Sequence, residues 1–151
     1  MSAAVIAAPR RVVVGIDDAG RSAFLSDDRD AAALPRANGT LMHELWRQDT
    51  PTGGVAPAVV GPVPETGFVV RTLTLPPHAA GTRPAADLHT SPASYVITVL
   101  EGELLVTVEA GESLLGAGET IVIPGSMHDI VNPTEHPTRI VFTMCARTTE
   151  A

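Results

Sequence analysis

The stretch HTSPASYVITVLEGE, from His89 to Glu103, gathers a histidine, two serines and the only tyrosine of the chain within seven residues. A neutral imidazole is a competent base near pH 7 and a ligand for a divalent ion. A buried tyrosine hydroxyl can donate a hydrogen bond to a developing oxyanion. It binds metal well only when ionised, which means removing a proton from a group with a reference pKa of about 10. The stretch is therefore open to three readings: a metal centre with unusual ligands, a metal-free catalytic pocket, or a strand with a polar start. Elsewhere, His43 and Glu44 in MHELW form a potential imidazole–carboxylate pair, but neighbours on a strand face opposite ways, so at most one can enter a pocket. Arg71 interrupts an apolar strand and either points to solvent or meets an anionic group in a cavity. His78 after Pro-Pro and His136 before Pro are expected in exposed turns. Trp46 is read most simply as core or a dimer contact.

The elements that must position these groups follow from the punctuation of the chain. Thirteen Gly and thirteen Pro in 151 residues cut the sequence into short runs rich in Val, Ile, Leu and Thr. That is the pattern of an all-β sandwich or barrel. RRVVVGIDDAGRSAFLS predicts two strands around a turn at Asp17–Gly20, since Asp-Asp-Ala-Gly supplies turn residues. NGTLMHELWRQ fits a strand or a short helix, since its alternation does not decide between them, and strand is the favoured reading. DTPTGGVAPAVVGPVPETG cannot propagate a helix or a central strand and is expected to be a long surface loop, a candidate lid. FVVRTLTL (68–75), a loop through residues 76–87, then YVITVLEGE, ELLVTVEAGE, ETIVIPGSMHDIVNP and TRIVFTMCA complete a series expected to run as a tight antiparallel meander from Phe68 to Ala146.

A length of 151 residues suits one ordinary domain with its own core. The expected division is a flexible stretch over residues 1–10 and a single domain over 11–151. Hydrophobic residues make up 44%, and the formal charge is −7. This acidic balance offers no attraction to nucleic acid or to an anionic membrane surface, so neither is an expected partner. The single cysteine, Cys145, excludes an internal disulfide and reads as a small apolar residue on the last strand. The Ala-rich start lacks a basic n-region, and no apolar run is long enough to span a membrane. The expected location is cytoplasmic.

Two short motifs in the second half resemble those of the cupin superfamily of small β-barrels. The first general motif runs Gly, His-x-His, Glu and a closing Gly six residues beyond that Glu. Aligned on VLEGE, Gly102 takes the closing Gly, Tyr95 the Glu position, Ser91 the second His and His89 the first. The second motif runs Gly, Pro, Gly, His and Asn, and GETIVIPGSMHDIVNP supplies Gly118, Pro124, Gly125, His128 and Asn132. The interval from Pro124 to His128 is one residue short, while Gly125 to His128 and His128 to Asn132 keep the family's spacing. The resemblance spans Phe68 to Cys145. The N-terminal part, with GRSAFLS and MHELWR, is similar to a subgroup of single-domain cupins.

The resemblance implies an all-β, cupin-type jelly-roll barrel with an N-terminal extension of strands, its motif-bearing core at 68–146, and pairing into a homodimer that covers exposed edges. Alternate residues of each barrel strand face inward. His89 and Ser91 are then expected to share one inward face, Tyr95 to face inward from the next strand with Ile97 and Val99, and His128 to arrive from a later strand. Val70 or Arg71, Ile121, Ile123, Phe142 and Met144 are further candidate lining residues. Gly102, Gly118, Gly125 and Asn132 are expected to be structural.

Cupins often hold a divalent metal such as Fe, Mn, Ni or Zn. His89 and His128 are candidate ligands, but three protein ligands is the usual minimum for a catalytic site. Asp87, two residues before His89, could supply a carboxylate, although the alignment places it outside the motif. The leading expectation is a small-molecule enzyme with a metal-free or weakly metallated pocket, acting on a hydrophobic carbonyl or polyketide-like metabolite of secondary metabolism. His89, Tyr95 and His128 carry the acid–base work of a dehydratase, isomerase or cyclase, while Arg71, Ser91, Ile97, Val99, Phe142 and Met144 contact substrate. The alternatives are a metal-dependent oxygenase and a non-catalytic ligand-binding or sensing barrel.

Overall fold

The computed structural model of the chain describes residues 7–48, 54–55, 61–79 and 81–147. Residues 1–6 of the expected flexible N-terminus lie outside them. So do residues 49–53 and 56–60 of the expected long loop. The described chain is built of strands: β1 (Arg11–Ile16), β2 (Ser22–Asp28), β3 (Ala32–Pro35), β4 (Leu41–Gln48), β5 (Gly54–Val55), β6 (Phe68–Leu75), β7 (Ala93–Glu101), β8 (Glu103–Val108), β9 (Gly111–Gly116), β10 (Thr120–Ile123), β11 (Asp129–Val131) and β12 (Thr138–Ala146). No described segment is a helix long and apolar enough to cross a membrane.

β1 and β2 form the predicted hairpin. Its turn is closed by the Gly20 N–H donating to the Asp17 carbonyl at 2.9 Å, and by the Asp17 carboxylate accepting from the backbone of Ala19 and Arg21. Arg10 and Arg11 pair with Asp27 and Asp28 across the two strands. One face of the hairpin leaves Val14, Ile16 and Phe24 exposed.

The remaining strands do not follow the expected meander. The large antiparallel sheet has the order β10-β7-β12-β6-β4-β3, with β5 beside β4, and a second sheet has the order β11-β8-β9. β6 and β7, consecutive in the chain, are separated by β12, which pairs with both. This is jelly-roll topology: the chain crosses between sheets at its turns, so that each face finds an apolar partner. The expected long loop also contains β5, paired with β4 at Trp46 and Arg47.

The core sits between the sheets because alternate residues of both are apolar. Val69, Leu73, Ile97, Val99, Ile140, Phe142 and Met144 of the large sheet pack with Leu104, Val106 and Leu115 of the small one. A corner at Glu101-Gly102-Glu103 carries β7 into β8. Gly102 has φ +82°, and a Cβ there would come within 2.7 Å of Thr138 Oγ1. That hydroxyl donates to the Glu103 carbonyl at 2.7 Å and accepts from the Glu103 N–H, so the corner has room for glycine alone.

Asn132 is structural through its side chain and without positive φ, which no described residue other than glycine adopts. It is fully buried, its amide nitrogen donates to the Pro76 and His136 carbonyls, and its oxygen accepts from Thr134. It thereby ties the β11–β12 loop to the end of β6.

Candidate functional site

His89 and His128 come from two segments that meet outside the regular strands. Each backbone N–H donates to the other residue's carbonyl, at 3.0 and 2.9 Å, in an isolated antiparallel bridge. Residues paired directly across such a bridge project to the same side. The two imidazoles accordingly stand 4.8 Å apart, tilted by 51°. His128 is buried at 2% exposure, whereas His89 is exposed at the rim.

The tautomer of each ring follows from its partner. Nδ1 of His89 lies 2.9 Å from the Asp87 carbonyl, and Nδ1 of His128 lies 2.7 Å from the Ser126 carbonyl. A carbonyl only accepts, so each Nδ1 carries the proton and donates. In the neutral rings, Nε2 is left as the lone-pair nitrogen, and no described residue donates to it.

Tyr95 enters from β7, its ring meeting His128 edge-on at 5.3 Å and Phe142 at 6.1 Å. Its hydroxyl makes no hydrogen bond among the described residues. An unengaged phenol beside two unengaged imidazole nitrogens is a set that can accept and donate protons.

These groups border a cleft in two parts. The inner chamber, about 320 Å³, has walls of Met42, Arg71, Leu73, Ile97, Phe142 and Met144 and is bordered by His89, Tyr95 and His128. The outer chamber, about 490 Å³, takes in Asn38, His78, Asp87 and Asn132. Arg36, Thr40, His89 and Asp129 line both, so the parts form one cleft of a size usual for small-molecule sites.

The structure revises several expected positions. Ile97, Phe142, Met144 and Arg71 line the inner chamber. Val99 is wholly buried in the core on the same strand face, one pleat further in, and does not reach the cleft. Ser91 shares no inward face with His89. It lies in the turn before β7, where its hydroxyl accepts from the Ala93 N–H at 3.3 Å, because β7 begins at Ala93 and residues 90–92 have left the strand register. Ile121 and Ile123 belong to the core rather than the cleft, and Val70 has the opposite parity from Arg71. His78 is half-buried and borders the outer chamber instead of being fully exposed, while His136 is exposed as expected.

Arg71 settles against solvent. Its side chain is buried beneath Glu44, which is itself 0% exposed. Arg71 Nε donates to Glu44 Oε2 at 2.8 Å, and Arg47 Nε donates to Glu44 Oε1 at 2.8 Å. Arg71 Nη2 also donates to the Gly61 carbonyl and Arg47 Nη2 to that of Pro62. Glu44 thus faces the cleft side of the sheet while His43 lies on the other face, buried at 4% exposure. Desolvation, and secondarily the charge of Arg139, hold the His43 pKa below its usual value. The roles of Arg47, Arg36 and Asp129 were not legible in the sequence. Only the register of β4 against β6, which sets Glu44 opposite Arg71, brings the first of them in.

The donor set does not fit the divalent metal that the motifs imply. Two imidazoles and a neutral phenol face the cleft, and among the described residues no three His, Cys, Asp or Glu side chains are placed to hold one ion. Asp87 is exposed and offers His89 its carbonyl, its side chain standing outside the histidine pair. Three ligands from the protein are the usual requirement, and this site lacks the third.

Comparison with known proteins agrees with this architecture. The family model described as Cupin_2, cupin domain, matches residues 71–144. No curated protein matches the chain. Among solved structures, a Salmonella typhimurium protein assigned to ethanolamine utilization, EutQ, is similar at 16% identity and a TM-score of 0.55, covering 92% of this chain and 97% of its own. The cupin domain of Schizosaccharomyces pombe Cnp3 is similar at 14% identity and a TM-score of 0.58, covering 92% and 88%. An RmlC-like cupin from Shewanella frigidimarina is similar at 17% identity and a TM-score of 0.54, covering 83% and 92%. At these identities the likeness is one of fold.

Proposed function

The chain belongs to the cupin superfamily, and from that premise we propose that it is a small-molecule enzyme performing acid–base chemistry on a hydrophobic carbonyl compound, as a dehydratase, isomerase or cyclase. The observation that carries this reading is the pair His89 and His128. Both have Nδ1 committed to a backbone carbonyl and Nε2 unengaged, beside the unengaged hydroxyl of Tyr95.

His128 is the general base, because it is buried and fixed on one side by the Ser126 carbonyl. Its Nε2 takes a proton from the carbon next to the substrate carbonyl, and the C–H electron pair becomes the enolate double bond. The displaced carbonyl electrons move to oxygen, where the Tyr95 O–H donates a hydrogen bond. His89, at the rim and open to solvent, exchanges protons with water. In its protonated form it delivers one to a β-hydroxyl that leaves as water, completing a dehydration. For an isomerisation, the proton on His128 returns to a different carbon instead. The apolar walls of Ile97, Phe142 and Met144 favour a hydrophobic substrate and keep bulk water from the enolate.

The test is exchange of α-deuterium from a deuterated aryl ketone, followed by proton NMR. Exchange by the wild-type protein and its loss in His128→Ala, with an unchanged circular dichroism spectrum, is the expected outcome. A folded His128→Ala variant that exchanges as fast as wild type would sink the assignment. Retention of the ketone with no exchange in the wild type would instead indicate a non-catalytic binding barrel.

A further inference from the structure

We infer that the inner end of the cleft is an anion subsite, and that the substrate is a monocarboxylate whose acid group is held by Arg71. This rests on the cleft being the substrate site. It adds the chemical class of substrate, which the histidine pair leaves open.

The first observation is the charge of the buried cluster. Two guanidiniums, Arg47 and Arg71, converge on one carboxylate, Glu44, and among the described residues the remaining partners of their Nη2 atoms are the neutral carbonyls of Pro62 and Gly61. The cluster thus carries one uncompensated positive charge. A buried charge left uncompensated is costly, and the cost is relieved by pairing.

The second is where that surplus is directed. Arg71 is 5% exposed, and the surface it retains borders the inner chamber. Nε and Nη2 are engaged by Glu44 and Gly61, whereas the only partner of Nη1 among the described residues is the Met144 sulfur at 3.8 Å. A thioether is a weak acceptor. A guanidinium N–H facing an apolar chamber, with sulfur as its sole partner, is a donor awaiting a stronger acceptor, and charge-assisted bonds to a carboxylate are about twice as strong as neutral ones.

The third is register. Arg71 on β6 lies opposite Phe142 on β12, and the next inward residue of β12, Met144, lies opposite Tyr95 on β7. With adjacent strands about 4.8 Å apart, the β6 and β7 backbones are separated by roughly 10 Å. An acid bound at Arg71 therefore extends across Phe142 and Met144 toward Tyr95 and His128, so that a carbonyl a few carbons from the carboxylate reaches the proton-carrying groups. One open guanidinium nitrogen, that of Arg71, suits one carboxylate, while a further arginine, Arg36, is exposed and lies with Asp129 along the part shared with the outer chamber. Asp129, which lines both chambers, disfavours a more highly charged ligand.

The probe is 6-oxo-6-phenylhexanoate, compared with its primary amide, which keeps the shape and removes the charge. Binding to the wild-type protein is measured by titration calorimetry, and α-deuterium exchange is followed on the same two compounds. The acid is expected to bind at least tenfold more tightly than the amide. Arg71→Gln leaves Glu44 paired with Arg47 and should erase that preference, and Arg71→Lys should keep part of it. The wild-type comparison stands even if a variant fails to fold. Equal affinities, or binding of neither compound, would overturn the subsite. If both compounds bind equally and exchange, the subsite falls and the acid–base reading survives. If the acid is preferred and neither compound exchanges, the subsite stands and the acid–base reading falls.

Discussion

At the scale of residues, the proposed chemistry turns on what each polar atom already has as a partner. The Nδ1 atoms of His89 and His128 are occupied and their Nε2 atoms are not, and the Tyr95 hydroxyl is likewise without a described partner. Removing only that hydroxyl separates its role from packing, because the ring of Phe would keep its edge contacts with His128 and Phe142. Tyr95→Phe is expected to slow α-deuterium exchange by about 10²-fold or more, the usual loss for one oxyanion donor, while changing ketone affinity little. An unaltered exchange rate would remove Tyr95 from the mechanism. The motif residues were legible in the sequence because their spacing survives. Ser91 was misplaced because the start of β7 decides which residues alternate, and a sequence gives strand ends least securely. The Glu44–Arg71 pair was hidden for another reason: it joins residues 27 apart, and only strand register brings them face to face.

At the scale of elements, apolar runs rich in Val, Ile, Leu and Thr made β6, β7 and β12 readable, β4 was favoured as a strand although its alternation did not exclude a short helix, and Asp-Asp-Ala-Gly made the first hairpin readable. The order of the strands was not readable, because alternation states that a strand has a buried face and not which strand lies beside it. Placing β12 between β6 and β7 is a long-range choice, made by packing two sheets over one core. The corner at Gly102 is where that choice bears on the chain. Gly102→Ala would force a side chain into positive φ and against Thr138, which pins the start of β8. The expected cost is about 1–3 kcal/mol of unfolding free energy, measured by urea denaturation. A midpoint equal to that of wild type would show that the corner tolerates a Cβ.

At the scale of the whole molecule, folding buries a histidine that the cleft does not use. His43 lies on the face of β4 away from Glu44, and burial, then Arg139, lower its pKa in the folded state. The unfolded chain binds that proton more readily. Stability from this source is therefore complete above the unfolded value of about 6.5 and is lost as pH falls below it toward the folded pKa. The melting temperature of wild type should accordingly fall more steeply between pH 7.5 and 5.5 than that of His43→Gln, and parallel curves would contradict the assignment.

The molecule as a whole has a cupin barrel whose motif positions retain two imidazoles, with no third metal-binding side chain placed beside them among the described residues. In the proposed reaction these imidazoles carry protons. The most direct measurement is α-deuterium exchange from an aryl ketone by protein stripped with chelator and verified metal-free by elemental analysis. Exchange as fast as before stripping is the expected result. Exchange that disappears on stripping and returns with a stoichiometric divalent ion would contradict it.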